Sequence, residues 1–351
     1  MFQKKEIKSL TGIRGVAALY VAVFHSLEVR NGSDLSFFQI FVNHGYLSVD
    51  LFFVLSGFVM ALSSKKIFEN EFGFNDFFCF MKKRFARIYP MYFVVLCIGF
   101  AYINHFDGKI NFIISLSLLS IVLGQGYVML HMWSLSAEWI AYLAFPFFIK
   151  MVYKSDSLAW TLILASLSVL VVVYANYERN ILFASSSEGF SEPMIPSIFR
   201  CFGNFVLGIT AYRITQLWPS ILVNANYISF LCAILILSLL GVHGTDIFIN
   251  ILFLPLVLAI STDRGIVGRF LASKYIFFLG LISYSLYLIH PILLVWKYEI
   301  YQEYKSLEYL DLKFNLAYIF LAVVIAYGCY YFIEIPVQKK LNGLMLTRNR
   351  E

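Results

Sequence analysis

The first apolar segment, residues 10–30, constrains the fold of this chain more than any other stretch. At about 1.5 Å per residue it is long enough to cross a bilayer as one helix. Two ionisable side chains, Arg14 and His25, lie within it. A charge inside a bilayer is costly unless it faces protein or a water-filled cavity. The segment therefore predicts a membrane protein whose helices enclose a polar interior.

Arg14 and His25 are predicted to share one face of that helix. They are eleven residues apart, and at about 100° per residue this is about three turns plus a small remainder. Along the helix axis they are separated by about 16 Å, roughly half of the hydrocarbon thickness. Two such groups on one stripe indicate a polar path that runs from one membrane face toward the other.

The composition agrees with a membrane location. Of the 351 residues, 60% are hydrophobic and only 14% are charged, whereas about a quarter of a soluble protein is charged. We therefore predict an all-α, polytopic helix bundle in contact with membrane lipids. The net charge of +6 comes from basic residues in particular loops, which is a topology signal and gives no reason to expect a nucleic-acid partner. The five cysteines have no metal-binding spacing, and we expect no metal site.

Apolar segments that could form membrane helices recur along the chain. The segment 112–124 would be only about 20 Å long as a helix, too short to cross comfortably. The eleven candidates are residues 10–30, 45–63, 88–106, 112–124, 131–149, 158–176, 197–216, 226–242, 246–262, 275–297 and 313–335.

The basic loops choose between the possible topologies. Lys4, Lys5 and Lys8 place the N-terminus in the cytoplasm under the positive-inside rule. If 112–124 does not cross, the later basic loops and the C-terminal tail also fall on the cytoplasmic side. We therefore predict about ten transmembrane helices with both termini cytoplasmic, and a stretch 107–128 that is re-entrant or lies on the outer surface.

Three ionisable residues are predicted to lie at similar depth in the outer half of the membrane: His25, Asp50 and Glu138. A histidine oriented by a carboxylate is a common general base, because its pKa is near neutrality and the carboxylate fixes its tautomer. The alternative is that each group only forms hydrogen bonds between helices. Three such groups at one depth favour a catalytic centre.

A second polar set is predicted at the inner face. Arg14 lies within an apolar run, and Arg84 and Arg87 are three residues apart on one helix face. Arginine grips phosphate groups through paired hydrogen bonds. These residues indicate an anionic, phosphate-bearing ligand on the cytoplasmic side. The neighbouring lysines are better explained by topology and lipid headgroup contact.

The late segment LISYSLYLIHPILLVW contributes further polar side chains. Ser283, Tyr287 and His290 share a helix face, giving a hydroxyl-rich stripe that ends in a histidine and that we assign to the substrate pocket. Contacts between helices are the alternative explanation. Glu334 is interpreted as a salt-bridge residue at a helix end. Motifs for nucleotide hydrolysis and for serine esterases are absent from the sequence.

Taken together, six motifs in this chain resemble acyltransferase family 3, a family of membrane-bound O-acyltransferases. They occur in the family's order between residues 10 and 338. A single motif would be weak, but six in order are specific. The motifs are LTGIRGVAALYVAVFH, GYLSVDLFFVLSGFVM, KRFARIYPMYF, HMWSLSAEWIAYLAFP, SYSLYLIHP and YFIEIPVQK.

The resemblance implies transfer of an acyl group, most often acetyl, from cytoplasmic acyl-CoA to a hydroxyl of a cell-surface or lipid-linked glycan. It implies a single transmembrane domain over 1–351 in the bacterial cytoplasmic membrane, and we expect no soluble C-terminal domain. By matched motif, His25 is the expected catalytic histidine. The expected CoA-side residues are Arg14, Arg84 and Arg87, and the expected pocket residues include Trp133, Ser134 and Glu138.

As a hypothesis, His25, oriented by Glu138 or Asp50, deprotonates the acceptor hydroxyl, which attacks the thioester. An acyl-histidine intermediate is the alternative route, and a serine of WSLSAE or SYSLY is a candidate donor to the oxyanion. A glycan or lipid transporter is the competing class, since a polar path also suits transport. The absence of internal repeats argues against a transporter, and a scaffold would not need Arg14 buried.

Overall fold

The structure, a computed structural model, describes residues 6–27, 36–68, 73–102, 109–123, 131–185, 194–303 and 312–348. Within these ranges the chain forms helices joined by turns and contains no strand, so the prediction of an all-helical fold is confirmed. The helices are α1 (Lys8–Leu27), α2 (Phe37–Asn43), α3 (Leu47–Phe68), α4 (Phe74–Tyr102), α5 (Lys109–Leu116), α6 (Ser120–Leu123), α7 (Met132–Val152), α8 (Leu158–Ser185), α9 (Met194–Leu217), α10 (Ala225–Leu239), α11 (Asp246–Ile260), α12 (Gly265–Leu271), α13 (Lys274–Leu281), α14 (Ser283–Glu303), α15 (Leu312–Cys329) and α16 (Ile335–Arg348).

Seven helical stretches among the described residues are long and apolar enough to cross a membrane, and nine are if each of two bent pairs forms one span. The bent pairs are α11 with α12, at 84°, and α13 with α14, at 66°. The chain is therefore a multi-pass membrane protein. The predicted span 197–216 corresponds to α9, which has 24 residues but is not among the seven. The total of ten and the cytoplasmic termini stay predictions.

The stretch that was expected not to cross contains two short helices. With 8 residues in α5 and 4 in α6, their lengths are about 12 Å and 6 Å, well short of the hydrocarbon thickness. The Tyr92 hydroxyl donates to the Ser115 carbonyl at 2.7 Å and ties α5 to α4. Residues 107–108 and 124–128 of the predicted re-entrant stretch lie outside the described residues.

Helix α1 is anchored at its first turn by a side chain from the loop after α11. The backbone N–H groups of Lys8 and Ser9 donate to the Asp263 carboxylate at 3.2 and 2.8 Å. The Ser9 hydroxyl also donates to the Ile260 carbonyl at 2.5 Å. These bonds satisfy helix N–H groups that have no intrahelical partner. Because α1 is held at this end, the heights of its polar residues within the bundle are fixed.

The centre of the bundle depends on a very close approach of α3 and α9. A Cβ atom at Gly57 would lie 1.9 Å from the Phe205 carbonyl oxygen, and one at Gly208 would lie 2.0 Å from the Val54 carbonyl oxygen. Only glycine fits at these two crossing points. Small residues of this kind let membrane helices pack backbone to backbone, and here they hold the polar face of α9 against α3.

The outer helices present apolar side chains away from the bundle. Such side chains are compatible with the hydrocarbon tails of lipids, which form no hydrogen bonds with polar groups. This exposed apolar surface supports a membrane environment for α8, α10 and α15. Its large members include Leu162, Leu170, Leu231, Leu237, Leu316 and Phe320.

The α3–α9 crossing generates a stability prediction. We expect Gly57→Ala to lower the thermal stability of the purified protein, because overpacking against a backbone carbonyl costs about 1–3 kcal/mol. The control is Gly328→Ala, where an added Cβ meets nothing within 4 Å and helix propensity improves by about 1 kcal/mol. Thermal unfolding in detergent or nanodiscs measures both. Equal melting temperatures for the two variants would contradict the tight crossing.

Candidate active site

A narrow cavity of about 100 Å³ lies between α1, α3, α4, α7 and α14. It is therefore lined by the helices that carry five of the six sequence motifs. The predicted site residues that line it are Arg14, Arg84, Arg87, Ser134, Glu138, Ser283 and Tyr287.

Three arginines give one part of this cavity a positive potential. Arg14 is half-buried and lies within electrostatic range of Arg84, Arg87 and Glu138. None of the three arginines forms an ion pair with a carboxylate among the described residues, and the Nε of Arg84 has no hydrogen-bond partner there. Arg87 is exposed, but the Nε of Arg84 is buried, and a buried N–H group normally has a partner. The arrangement is therefore suited to an anionic ligand such as a phosphate group.

Glu138 supplies the negative charge on the cavity wall. Its Oε1 accepts hydrogen bonds from the Ser56 hydroxyl and the Tyr142 hydroxyl, each at 2.5 Å. Tyr142 lies one turn further along α7, and Ser56 reaches across from α3, so the carboxylate is held between two helices. Both hydroxyls also line the cavity.

The two predicted histidines form a direct pair next to the cavity. Nδ1 of His25 lies 3.0 Å from Nε2 of His290, and the ring planes are within 23° of each other. His25 lies in the last turn of α1, and His290 is fully buried in α14 directly before Pro291. The structure thus joins two groups that the sequence analysis placed on separate helices with separate roles.

Tyr287 links the cavity to the histidine pair. Its ring lines the cavity and lies 5.8 Å from the His290 ring and 5.7 Å from the His131 ring, between centroids. The Ser134 and Tyr287 hydroxyls form a hydrogen bond with each other at 2.7 Å, and both lie within reach of the His131 carbonyl oxygen, at 3.0 and 3.4 Å. The wall between the arginine-lined cavity and the histidines is therefore about one side chain thick.

Asp50 lies in a different environment from the one expected. Arg200 donates to both of its carboxylate oxygens at 2.7 Å, and Asn204 donates to Oδ1 at 2.8 Å. Within the described part of the chain, neither Asp50 nor Glu138 contacts His25. Asp50 accepts its hydrogen bonds from Arg200 and Asn204, and Glu138 accepts its hydrogen bonds from two hydroxyls. The contact of His25 Nδ1 is instead with His290.

Trp133 lies behind the cavity wall and does not line it. Its ring lies 6.0 Å from the Arg200 guanidinium and packs edge-on against Phe53 at 6.2 Å between centroids. Phe53 in turn lines the cavity. Trp133 therefore connects the Asp50–Arg200 pair to the site through packing.

Several residues near the site were missed by the sequence analysis. Tyr142 was recognisable as the residue four positions after Glu138, on the same helix face. Arg200 was recognisable as a charge inside a predicted span. Ser56 carried no signal of its own. His131 was visible in HMWSLSAEW but was not singled out.

His131 is a buried histidine beside the pair. Apart from a contact with the backbone carbonyl of Leu288, neither of its ring nitrogens has a hydrogen-bond partner among the described residues. Its ring lies 5.9 Å from that of His290. The described residues contain no group of three or more His, Cys, Asp or Glu side chains placed to hold a metal ion.

A multi-pass helical bundle with an arginine-lined cavity beside a histidine pair defines a membrane protein with a polar site between its helices. Residues 7–334 match the profile of acyltransferase family 3, described as an acyltransferase domain. The match covers nearly the whole chain, and the chain belongs to this family. The resemblance drawn from the six motifs is confirmed.

Individual relatives agree with this assignment. The chain is 21% identical to O-acetyltransferase OatA of Staphylococcus aureus (strain NCTC 8325 / PS 47) over 387 residues, covering 97% of this chain and 58% of that protein. It is 29% identical to acyltransferase MdmB of Streptomyces mycarofaciens over 166 residues, 42% of this chain and 40% of that protein. It is 44% identical to protein 2 in the picA locus of Rhizobium radiobacter over 96 residues, 26% and 44% of the two chains. The chain spans about half the length of these curated relatives, and no solved structure matches it.

The Asp50–Arg200 pair generates a prediction that separates structure from chemistry. We expect Arg200→Met to destabilise the protein by about 3–5 kcal/mol, because it leaves a buried carboxylate without its cation. The double variant Asp50→Leu/Arg200→Met should recover most of the stability, since an apolar pair can replace a buried ion pair. Thermal unfolding of the single and double variants measures this recovery.

Turnover of the double variant then decides the role of Asp50. If the Asp50 carboxylate only supports the fold, the stable double variant keeps the acyl-transfer rate of the wild type. A stable but inactive double variant would indicate that Asp50 has the catalytic role predicted from the sequence.

Proposed function

We propose that this protein is a membrane-embedded O-acyltransferase that moves an acyl group, most simply acetyl, from acetyl-CoA to a hydroxyl of a glycan or lipid-linked saccharide. The observation that carries the proposal is the position of three arginines without ion pairs among the described residues in a cavity one side chain away from the His25–His290 pair. Membership of the acyltransferase family and the name of the relative OatA support the same reaction class.

The donor would be held at its charged end by the arginines. Coenzyme A carries several phosphate charges, and Arg14, Arg84 and Arg87 supply three guanidinium groups that can bind them in pairs of hydrogen bonds. The narrow cavity suits a long, thin pantetheine arm, which would extend along α1 toward His25. We infer that the arginine end faces the cytoplasm, in line with the positive-inside rule, and that the protein lies in the bacterial cytoplasmic membrane.

His25 would act as the general base. Its imidazole takes the proton of the acceptor hydroxyl, and the acceptor oxygen then forms a bond to the thioester carbonyl carbon. The carbon–sulfur bond breaks as the tetrahedral intermediate collapses, and the departing thiolate receives the proton from His25. The products are the O-acyl ester and free CoA, and His25 is returned to its neutral form.

Hydroxyl groups near the histidine pair would stabilise the oxyanion. Ser134 and Tyr287 are joined by a hydrogen bond at the cavity wall, and one of these O–H groups can be redirected to a developing negative charge. Ser283 lines the cavity as well and is assigned to the substrate pocket. Glu138 is proposed to hold Ser56 and Tyr142 in place and to balance part of the arginine charge.

The two halves of the site generate paired predictions for turnover and donor binding. We expect His25→Ala to bind acetyl-CoA normally but to lose turnover by about 10²–10⁴-fold, because general base catalysis contributes this much. Arg14→Ala should weaken donor binding, since a charged hydrogen bond to phosphate contributes about 1.5–3 kcal/mol. Isothermal titration and CoA release in nanodiscs measure the two effects.

Matched controls come from exposed residues of the same types. His243→Ala and Arg269→Ala remove an exposed histidine and an exposed arginine away from the cavity, and both should leave binding and turnover unchanged. If His25→Ala turned over at the wild-type rate, the proposed base would be wrong. If Arg14→Ala bound acetyl-CoA with unchanged affinity, the donor site would have to be sought elsewhere.

The order of events generates a further prediction. Direct attack by the acceptor predicts that purified protein with acetyl-CoA releases CoA only when an acceptor glycan is added. An acyl-histidine route would give one equivalent of CoA per protein without acceptor. A transporter would release no CoA in either condition. A rapid-quench assay with radiolabelled acetyl-CoA distinguishes the three results.

A further inference from the structure

We propose that His290 is a positioning residue that fixes the tautomer of His25 through an N–H···N hydrogen bond, so that the pair works as a histidine–histidine dyad in place of a histidine–carboxylate dyad. The inference deepens the proposed function and rests on it for the role of His25 as base. It starts from the 3.0 Å contact between Nδ1 of His25 and Nε2 of His290.

The direction of this hydrogen bond follows from the second nitrogen of His290. Its Nδ1 lies 3.2 Å from the Leu286 carbonyl oxygen, and a carbonyl can only accept, so Nδ1 carries hydrogen. A neutral imidazole has one N–H group, which makes Nε2 of His290 an acceptor. Nδ1 of His25 is therefore the donor, and the lone pair of the His25 ring is on Nε2.

A neutral His290 is required by its surroundings. The side chain is fully buried, and among the described residues no carboxylate contacts it. A doubly protonated imidazole in such a place would be an unpaired buried charge, which is strongly unfavourable. Its neighbours on the other side are the rings of Tyr287 and His131, at 5.8 and 5.9 Å between centroids, and neither provides a negative charge.

The geometry of the two rings supports a directed hydrogen bond over simple stacking. The ring centroids are 5.2 Å apart, while the two nitrogens are 3.0 Å apart. The centroid distance exceeds the nitrogen distance by about the radii of the two rings. The two nitrogens therefore lie near the line between the centroids and point at each other. With the planes only 23° apart, the N–H of His25 lies near the plane of the His290 lone pair, as a strong hydrogen bond requires.

The fold holds His290 rigidly in this position. The Tyr318 hydroxyl of α15 donates to the His290 backbone carbonyl at 2.9 Å, and the next residue, Pro291, has no N–H to compete for nearby carbonyls. On the other side, Ser26, which follows His25, donates a hydrogen bond to Asn315 at the start of α15. The chain is thus tied to α15 at the backbone of His290 and at the residue that follows His25.

A neutral partner has a chemical consequence inside a membrane. A carboxylate partner would add a buried negative charge to the resting site, whereas the histidine dyad is uncharged at rest. When Nε2 of His25 takes up a proton, the single positive charge is shared with His290 through the hydrogen bond. The C-terminal end of α1 also favours that charge, because His25 lies in its last turn.

The first test reads the tautomer directly and does not depend on activity. The full chain, labelled with ¹⁵N-histidine in nanodiscs, is measured by NMR, and the His25 signals are assigned by their loss in His25→Asn. We expect a protonated Nδ1 and an unprotonated Nε2 in the wild type and in His290→Gln, which keeps an acceptor. We expect a mixture of tautomers in His290→Met. A hydrogen on Nε2 in the wild type, or an unchanged tautomer in His290→Met, would overturn the dyad.

The second test compares binding with turnover. We expect His290→Met to lower kcat by about 10²-fold with unchanged acetyl-CoA affinity, and His290→Gln to recover most of that loss. A His290→Met protein that binds donor and keeps kcat within twofold of the wild type would refute the positioning role. If the wild type transfers no acyl group to any acceptor, the proposed function fails, and the NMR result still decides whether the dyad exists.

Discussion

A polar side chain without a partner is strongly unfavourable in the hydrocarbon of a membrane, because lipid tails form no hydrogen bonds. This cost decides how the helices of the bundle are arranged. Several ionisable groups of the helices, among them Asp50, Arg200 and His290, are buried inside the bundle, while α8, α10 and α15 present leucine and phenylalanine outward. Helix α9 illustrates the rule, because it buries Arg200 and Asn204 against Asp50 of α3. The glycines at the α3–α9 crossing allow that polar contact to form at the centre.

The cost of burying an unpaired charge helps to distinguish charged residues that support the fold from those that are available to a ligand. Arg200 and Asp50 form an ion pair that is fully buried. Arg14, Arg84 and Arg87 have no such partner among the described residues and meet around a cavity. On the proposed function, a ligand with phosphate groups would bring the negative charge that these three arginines lack.

The sequence allowed the polar residues of the site to be identified, but not how they pair. Arg14 and His25 stood out because ionisable groups inside an apolar run are rare, and their height in the bundle followed from helix rise. Height alone does not fix the direction in which a side chain points around its helix. Depth assigns Asp50 and Glu138 to His25. In the structure, however, Arg200 binds Asp50, and Glu138 lies near Arg14. The polar residues that α9 buries also lower its hydropathy, and α9 is not among the seven long apolar stretches of the described residues.

Helix α1 sets the distance between the proposed phosphate-binding residue and the proposed catalytic base. The helix is capped by Asp263 at one end and tied through Ser26 to α15 at the other, so Arg14 and His25 are held about 16 Å apart by helix rise alone. In the proposed reaction, the phosphates of the donor bind near Arg14, and the acyl carbon of the donor must reach His25. A donor with a shorter arm would satisfy the arginines without bringing its thioester to the dyad. The specificity for a long thioester carrier would then follow from a rigid helix, and the choice of acyl group from the few side chains around Tyr287.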